Sequence, residues 1–396
     1  MKKLLSMFTI VILIGSLILT GCIQKDSSSS ENKNETSKGA DSGNAKQTAS
    51  SGPITISSEI PDDQEILSKG PNGEKAVSAK TLQLTKEDVE KIKAGNYKAA
   101  IVMHYAGNDW STAQINGLKS TFKRMGIKVI AVTDAQFKVE KQVSDIETVL
   151  AKSPDLIVSI PVDPVSTADA YKRAAKAGVK LVFMDNPPAG LKAGKDYVSV
   201  VSADNYGNGV AAADIMAKKL GGKGNIGVIY HAADFFVTKQ RTEAFEKTIK
   251  EKYPHIKITE RDGITDPNKT ELVASGMLTR NPHLDGIFSV WDVPAEGVLS
   301  AARIAAREDL VITTIDLGTN VALEIALDGI VKGLGAQLPY DQGVTEAILA
   351  GYSLLDKKAP GYVAVPSLSV TEKNVLDAWQ LVYREEAPET IRDAAS

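Results

Sequence analysis

Cysteine is almost missing from this chain. Cys22 is the single one in 396 residues, so no disulfide can form within one molecule and the fold must rest on packing. Histidine is nearly as scarce: four residues, at 104, 231, 255 and 283, lie too far apart for metal-ligand spacing. No metal site and no cofactor are therefore expected. Basic clusters are missing too. Lys and Arg total 46 against 49 Asp and Glu, and the net charge of −3 is spread along the chain. Nucleic acid is excluded as a partner, because neutralising phosphates takes clustered cations. No GxSxG, HExxH or GxxxxGK[ST] pattern occurs, which removes the usual signatures of esterase, zinc-protease and nucleotide chemistry. The glycine-rich GGKGN (221–225) precedes a strand and reads as a helix stop.

What is present begins with an export signal. Lys2 and Lys3 precede the apolar run LLSMFTIVILIGSLIL, about 16 residues and short for a membrane-spanning helix. It ends in LTGC, which resembles the lipobox of bacterial lipoproteins, where cleavage leaves the cysteine as a lipidated N-terminus. Residues 1–21 are thus expected to be a signal peptide and Cys22 a lipidation site. Residues 22–53 hold almost no large apolar side chains and read as a flexible tether, with a root-mean-square span of about 30 Å. The expectation is a monomeric body held by lipid at the outer, extracytoplasmic face of a membrane. Residues 54–97 form an extension with one clear helix signal at Lys86–Ala94.

From Lys98 onward, short apolar runs alternate with amphipathic stretches. The runs are KAAIVM (98–103), KVIAVT (128–133), DLIVSI (155–160), KLVFM (180–184), YVSVVS (197–202), NIGVIY (225–230), HIKIT (255–259), LDGIFSV (284–290) and DLVITTI (310–315). Continuous apolar strands imply a parallel sheet with helices on both faces. So many βα units exceed one doubly wound sheet, and KRMGIKVIAV and KAGVKLVFM share a pattern. Two similar α/β lobes follow, with a closed (β/α)₈ barrel as the alternative.

Open parallel sheets bind ligands beyond the carboxyl ends of their strands. There this chain places HYAGNDW, Asp185 and Asn186, His231 to Asp234 with Arg241, then Arg261, Asp262, Thr265 and Asp266, then Trp291 and Asp292, and Asp316. Each alone reads as a helix cap. Together, flat indole faces, paired carboxylates and amides, and a planar guanidinium suit a neutral polyhydroxy molecule.

The segments FMDNPP, VSADNYGNGVAAAD, KQRTEAF, TTIDLGTN and GAQLPYDQG occur in this order. Carrying them, the chain from Lys98 to its end, roughly three quarters of its length, resembles the periplasmic sugar-binding proteins of the ribose/galactose type, the solute receptors of ABC importers. The resemblance implies a type I periplasmic binding fold, two lobes joined by three crossings near Asp204, Gln337 and Val365, a monosaccharide or polyol ligand and a membrane permease as partner. It also implies the lobe bounds, an N-lobe at 98–204 plus 338–366 and a C-lobe at 205–337 plus 367–396. It assigns ligand contact to Asn108, Trp110, Asp185, Arg241, Asp316 and Gln337; Asn186, Thr265 and Trp291 complete the candidate set. Departures stand out. Asp109 replaces a loop proline, Ser111 a second stacking aromatic, Asn186 an arginine and Trp291 an asparagine. Sugar or polyol binding without catalysis is the expectation. The alternatives are a sensory receptor of the same fold and a glycoside-acting enzyme using Asp185 and Asp316.

Overall fold

The computed structural model describes residues 52–61 and 65–396. The signal peptide, Cys22 and all but the last two residues of the tether lie outside the described residues.

Two separate open sheets carry the fold, so the closed barrel is excluded. The first contains β1 (Val77–Ser78), β2 (Lys98–Met103), β3 (Lys128–Asp134), β4 (Leu156–Ser159), β5 (Lys180–Met184), β6 (Ser199–Ala203) and β12 (Tyr362–Val365). The second contains β7 (Gly224–His231), β8 (Ile256–Ile264), β9 (Gly286–Ser289), β10 (Val311–Ile315), β11 (Val331–Ala336) and β13 (Leu368–Val370). Their orders are β1-β12-β6-β5-β4-β2-β3 and β13-β11-β10-β9-β7-β8. Leaving β1 aside, one order maps onto the other, strand for strand. All neighbours are parallel except β13, which runs antiparallel to β11.

Central strands such as β4, β6, β9 and β10 are buried along their whole length, as their apolar sequences require. The edge strand β8 differs. Between buried ends it alternates exposed and half-buried positions, and it runs on to Ile264, five residues beyond the expected HIKIT. An edge strand with one wet face alternates, and its polar residues disguise it as a loop. Arg261 and Asp262 therefore lie within the strand and not beyond its end. Arg261 lies over the Tyr230 ring and bonds Glu246 at 2.7 Å, while Asp262 pairs with Arg280.

The helices are α1 (Lys86–Ala94), α2 (Asp109–Arg124), α3 (Val139–Leu150), α4 (Ala168–Lys176), α5 (Asn205–Lys219), α6 (Phe236–Lys252), α7 (Thr270–Arg280), α8 (Asp292–Ile304), α9 (Thr319–Ala326), α10 (Pro339–Leu354), α11 (Val375–Tyr383) and α12 (Glu389–Ala394). Helices α2 and α4 each give way to a left-handed glycine, Gly126 and Gly178, before the next strand.

The chain passes between the sheets three times. It leaves β6 at Asp204 for α5, which packs on α6 and β11. It returns from β11 at Gln337 and Leu338 into α10, which packs on α2. It crosses last between β12 and β13 at Pro366 and Ser367. The approach of α10 to α2 is close: a Cβ on Gly117 would sit 2.2 Å from the Tyr340 carbonyl. Glycine is needed there.

Candidate functional site

Two aspartates occupy equivalent places. Asp185 follows β5 and Asp316 follows β10, and both hold left-handed backbone, with φ of 55° and 72°. Such conformations cost a non-glycine residue of order 1 kcal/mol or more and persist where the surroundings hold them. Here each backbone N–H is tied to the neighbouring strand, Asp185 to Val201 O at 2.8 Å and Asp316 to Gly335 O at 3.1 Å. Both carboxylates are nearly buried.

A continuous run of side-chain hydrogen bonds joins them through the first crossing. Ser202 donates to Asp185 Oδ1 at 2.7 Å and accepts from Asn205 Nδ2 at 2.9 Å. Asn205 Oδ1 accepts from Arg241 Nε at 2.8 Å, and Arg241 Nη1 reaches Asp316 Oδ2 at 3.1 Å. Gln337 Nε2 then donates to Asp316 Oδ1 at 2.7 Å. Four of the predicted residues, Asp185, Arg241, Asp316 and Gln337, are thus brought together. Ser202 and Asn205 link them without having been predicted as site residues, although SADN marked the crossover.

Charge is unevenly shared. Burial pushes the Asp185 carboxyl up to about 6, while the Ser202 bond and the Arg241 charge pull the other way. Asp292, in the first turn of α8, is raised well above the carboxylate range, first by burial and then by Asp316. Its Oδ1 accepts from the Val293 N–H at 2.8 Å.

Two aromatic clusters lie past strand ends, one on each sheet. In the first, Trp110 in the first turn of α2 meets the His104 ring edge-on at 6.2 Å, and Phe137 lies 4.9 Å from His104 and stacks on Tyr105 at 5.1 Å. In the second, Trp291 meets His231 edge-on at 5.3 Å, with Phe235 at 6.1 Å from the same ring. Burial lowers the affinity of His104 for a proton to about 4, and lowers that of His231 with help from Arg241, so both rings are neutral near pH 7. Phe137 and Phe235 were not foreseen. The rule of inspecting strand ends reaches Phe137, three residues past β3, but DAQFK carries no conspicuous polar cluster.

Other predicted residues fall differently. Asn108 is the N-cap of α2: its Oδ1 accepts from Ser111 N at 3.0 Å, and Ser111 Oγ reciprocates at the Asn108 N–H. The capping explanation therefore accounts for both residues. Thr265 is exposed, just past the edge strand β8 and apart from the network. Asn186 is buried beside Asp185, with Nδ2 lacking a partner among the described residues. The same holds for Gln337 Oε1 and Trp110 Nε1. Buried polar atoms left unpaired cost about 1–3 kcal/mol each, so these three favour a ligand that pairs with them.

Asp109 reaches across. Its Oδ2 accepts from Thr319 N at 2.9 Å and from Thr319 Oγ1 at 2.8 Å, joining the start of α2 on the first sheet to the start of α9 on the second. A carboxylate at a helix N-terminus is favoured by the backbone N–H groups and the helix dipole. Among the described residues no group of three or more His, Cys, Asp or Glu could hold a metal ion. A separate cavity of about 640 Å³ lies at the amino ends of β5 and β6, lined by residues such as Lys180, Lys195, Tyr197 and Lys357, and holds none of the network residues.

Comparison with known proteins agrees with this geometry. A family model described as a periplasmic binding protein domain matches residues 99–359. The ribose import binding protein of Bacillus subtilis is 28% identical over 257 residues, covering 65% of this chain and 81% of that protein. The D-allose-binding periplasmic protein of Escherichia coli is 27% identical over 288 residues, covering 69% and 91%. A crystal structure of an ABC transporter periplasmic solute binding protein from Actinobacillus succinogenes, with bound D-allose, superposes with a TM-score of 0.63 at 26% identity, covering 71% of this chain and 99% of that one. These relatives are binding proteins and not enzymes.

Proposed function

This chain belongs to the periplasmic binding protein domain family, and we propose that it captures a neutral sugar or polyol between its two lobes and delivers it to an ABC importer in the membrane. In this reading the first sheet with α10 forms the N-lobe, residues 98–204 plus 338–366, and the second forms the C-lobe, residues 205–337 plus 367–396. The observation that carries it is the line of acceptors and donors from Asp185 through Ser202, Asn205 and Arg241 to Asp316 and Gln337. It offers both lobes' carboxylates to one ligand and leaves Asn186 Nδ2, Gln337 Oε1 and Trp110 Nε1 to be satisfied by it. Hydroxyl groups donate to carboxylates and accept from amides and indoles, and sugar C–H faces stack on indole rings.

The charge narrows the ligand class. Asp185 and Asp316 share the one guanidinium of Arg241, which is already bonded to Asp316, while Asp109 and Asp316 add negative charge around Asp292. Sugar phosphates and sugar acids would meet uncompensated repulsion, so the ligand carries no negative charge. Asn186, where an arginine would otherwise help balance these carboxylates, points the same way. Lipidation at Cys22 and a tether over residues 22–53 would hold the body at the outer face of the membrane, beside the permease. Ligand touching both lobes stabilises the closed arrangement, because only differential affinity shifts such an equilibrium.

Isothermal titration against aldoses, ketoses, alditols, uronic acids and sugar phosphates tests the assignment. Binding confined to uncharged members supports it; tight binding of a uronic acid or a phosphate would refute it.

A further inference from the structure

The segment before the family match is built into the hinge. Residues 52–97 precede the matched region at 99–359, yet part of this segment bonds to the first crossing. Leu67 N donates to Asp204 Oδ2 at 3.0 Å, and Ser68 N and Oγ donate to Asp204 Oδ1 at 2.9 and 2.8 Å. Ser68 Oγ in turn accepts from Tyr206 N at 3.0 Å, at the start of α5, and Ser68 is buried. Lys69 N reaches Gln240 Oε1 on α6, which packs with the second sheet, at 3.4 Å.

The same segment touches the other two crossings. Ser57 N donates to Asp341 Oδ1 at 2.9 Å in the first turn of α10, and Arg384, beyond α11, ion-pairs with that aspartate. β1 pairs in parallel with β12, the strand that leads into the last crossing. The segment is anchored at its far end by the bridge between Ile54 and Leu84.

We propose that residues 54–61 and 65–84 form a strap that holds the hinge at the angle seen here, with Ser68 as the residue that positions Asp204. Hinges work by changing φ and ψ at a few residues between rigid bodies. Asp204 is such a residue, and its carboxylate also caps α5 by accepting from Gly207 N at 3.0 Å. Strap donors on that carboxylate fix the direction in which α5 leaves the first lobe. Loosening them lets the lobes part, which lowers the binding-competent fraction and the apparent affinity with it. The consequence for affinity rests on the two-lobe capture reading; the effect on the hinge does not.

The test therefore needs no ligand. Thr319 N–H, bonded to Asp109 of the opposite lobe, reports contact between the lobes from the far side of the hinge. Hydrogen–deuterium exchange on the full chain is compared for wild type, Ser68→Ala and Ser78→Ala. The Ser78 side chain caps a short turn on the same segment, away from the first crossing, and its loss leaves the backbone pairing of β1 with β12 in place. Ser68→Ala is expected to speed exchange at Thr319 about fivefold, the effect of about one net hydrogen bond on the population ratio. β5 and β10 keep wild-type protection, and Ser78→Ala leaves Thr319 unchanged. Unchanged exchange at Thr319 in a folded Ser68→Ala protein overturns the proposal. Should Ser68→Ala lose core protection, Gln240→Met, which removes the Lys69 acceptor, takes its place under the same two outcomes. A parallel titration with D-allose separates the readings. If this probe fails to bind wild type, the exchange result still stands or falls alone. If it binds, its Kd rises in Ser68→Ala by no more than that factor, since affinity follows the competent fraction and not the opening ratio.

Discussion

The two lobes share one strand order, yet their aspartates live under different terms. Asp316 is held by Arg241 and Gln337 together, one donor on each carboxylate oxygen. Asp185, at the equivalent strand end, has Ser202 on one oxygen, and burial pushes its carboxyl up to about 6. In the capture reading proposed above, the C-lobe acceptor is organised before ligand arrives, whereas the N-lobe acceptor is left for the ligand to complete. Preorganisation on one side and an unsettled charge on the other is a workable division for a clamp. One lobe can orient a ligand, and the second gains most when the ligand closes onto it.

The largest break in this comparison is Arg241→Ala. It strands a buried Asp316 carboxylate and cuts the link to Asn205, so unfolding free energy should fall by about 3–5 kcal/mol, read by denaturant titration. Asp185→Asn should act the other way on stability near pH 7, because it removes a carboxylate that burial disfavours. The sign follows from its raised value. Between about pH 4 and 6 the unfolded state ionises while the folded one stays protonated, so wild type loses up to about 3 kcal/mol over that window and stays at the lower level above it. In the Asn variant that loss is missing. Ligand affinity should show the opposite slope, since a hydroxyl donates to the ionised form: Kd rises as pH drops through about 6, and Asp185→Asn flattens the profile.

Smaller effects sharpen the contrast of the aromatic clusters. Trp291→Ala and Trp110→Ala should each weaken binding about tenfold, in line with about 1.4 kcal/mol of lost stacking and burial. Phe137, more than half exposed, should cost less when truncated. Thr265→Ala, outside the network, should leave affinity within about twofold of wild type. A large loss there would move the ligand toward β8.

Much of this was legible in the sequence, for local reasons. Continuous apolar runs announced the central strands, glycines stopped α2 and α4, and the polar residues after strands five and ten were the two aspartates. The misses are equally physical. β8 was read short because an edge strand hides its length in alternation. Asn108 caps α2 through its Oδ1, and sequence alone could not separate that role from a ligand contact because the two use the same residue type. The bond from Asp109 to Thr319 spans 210 positions and that from Ser68 to Asp204 spans 136, and no periodicity encodes such pairings. Between the tether and Lys86 the sequence carried no pattern beyond composition, so the contacts of Ser57, Leu67, Ser68 and Lys69 with the crossings emerged only in three dimensions.

The central claim is capture of one neutral ligand by both lobes. Its most direct test is calorimetric titration of a single sugar or polyol, chosen from the screen, against wild type, Asp185→Ala and Gln337→Ala. Both variants should lose at least about tenfold in affinity for that ligand while remaining folded, each having given up a hydrogen-bonding group that the ligand pairs with. Wild-type affinity in either one would mean that the corresponding lobe does not touch the ligand, and the two-lobe account would be wrong.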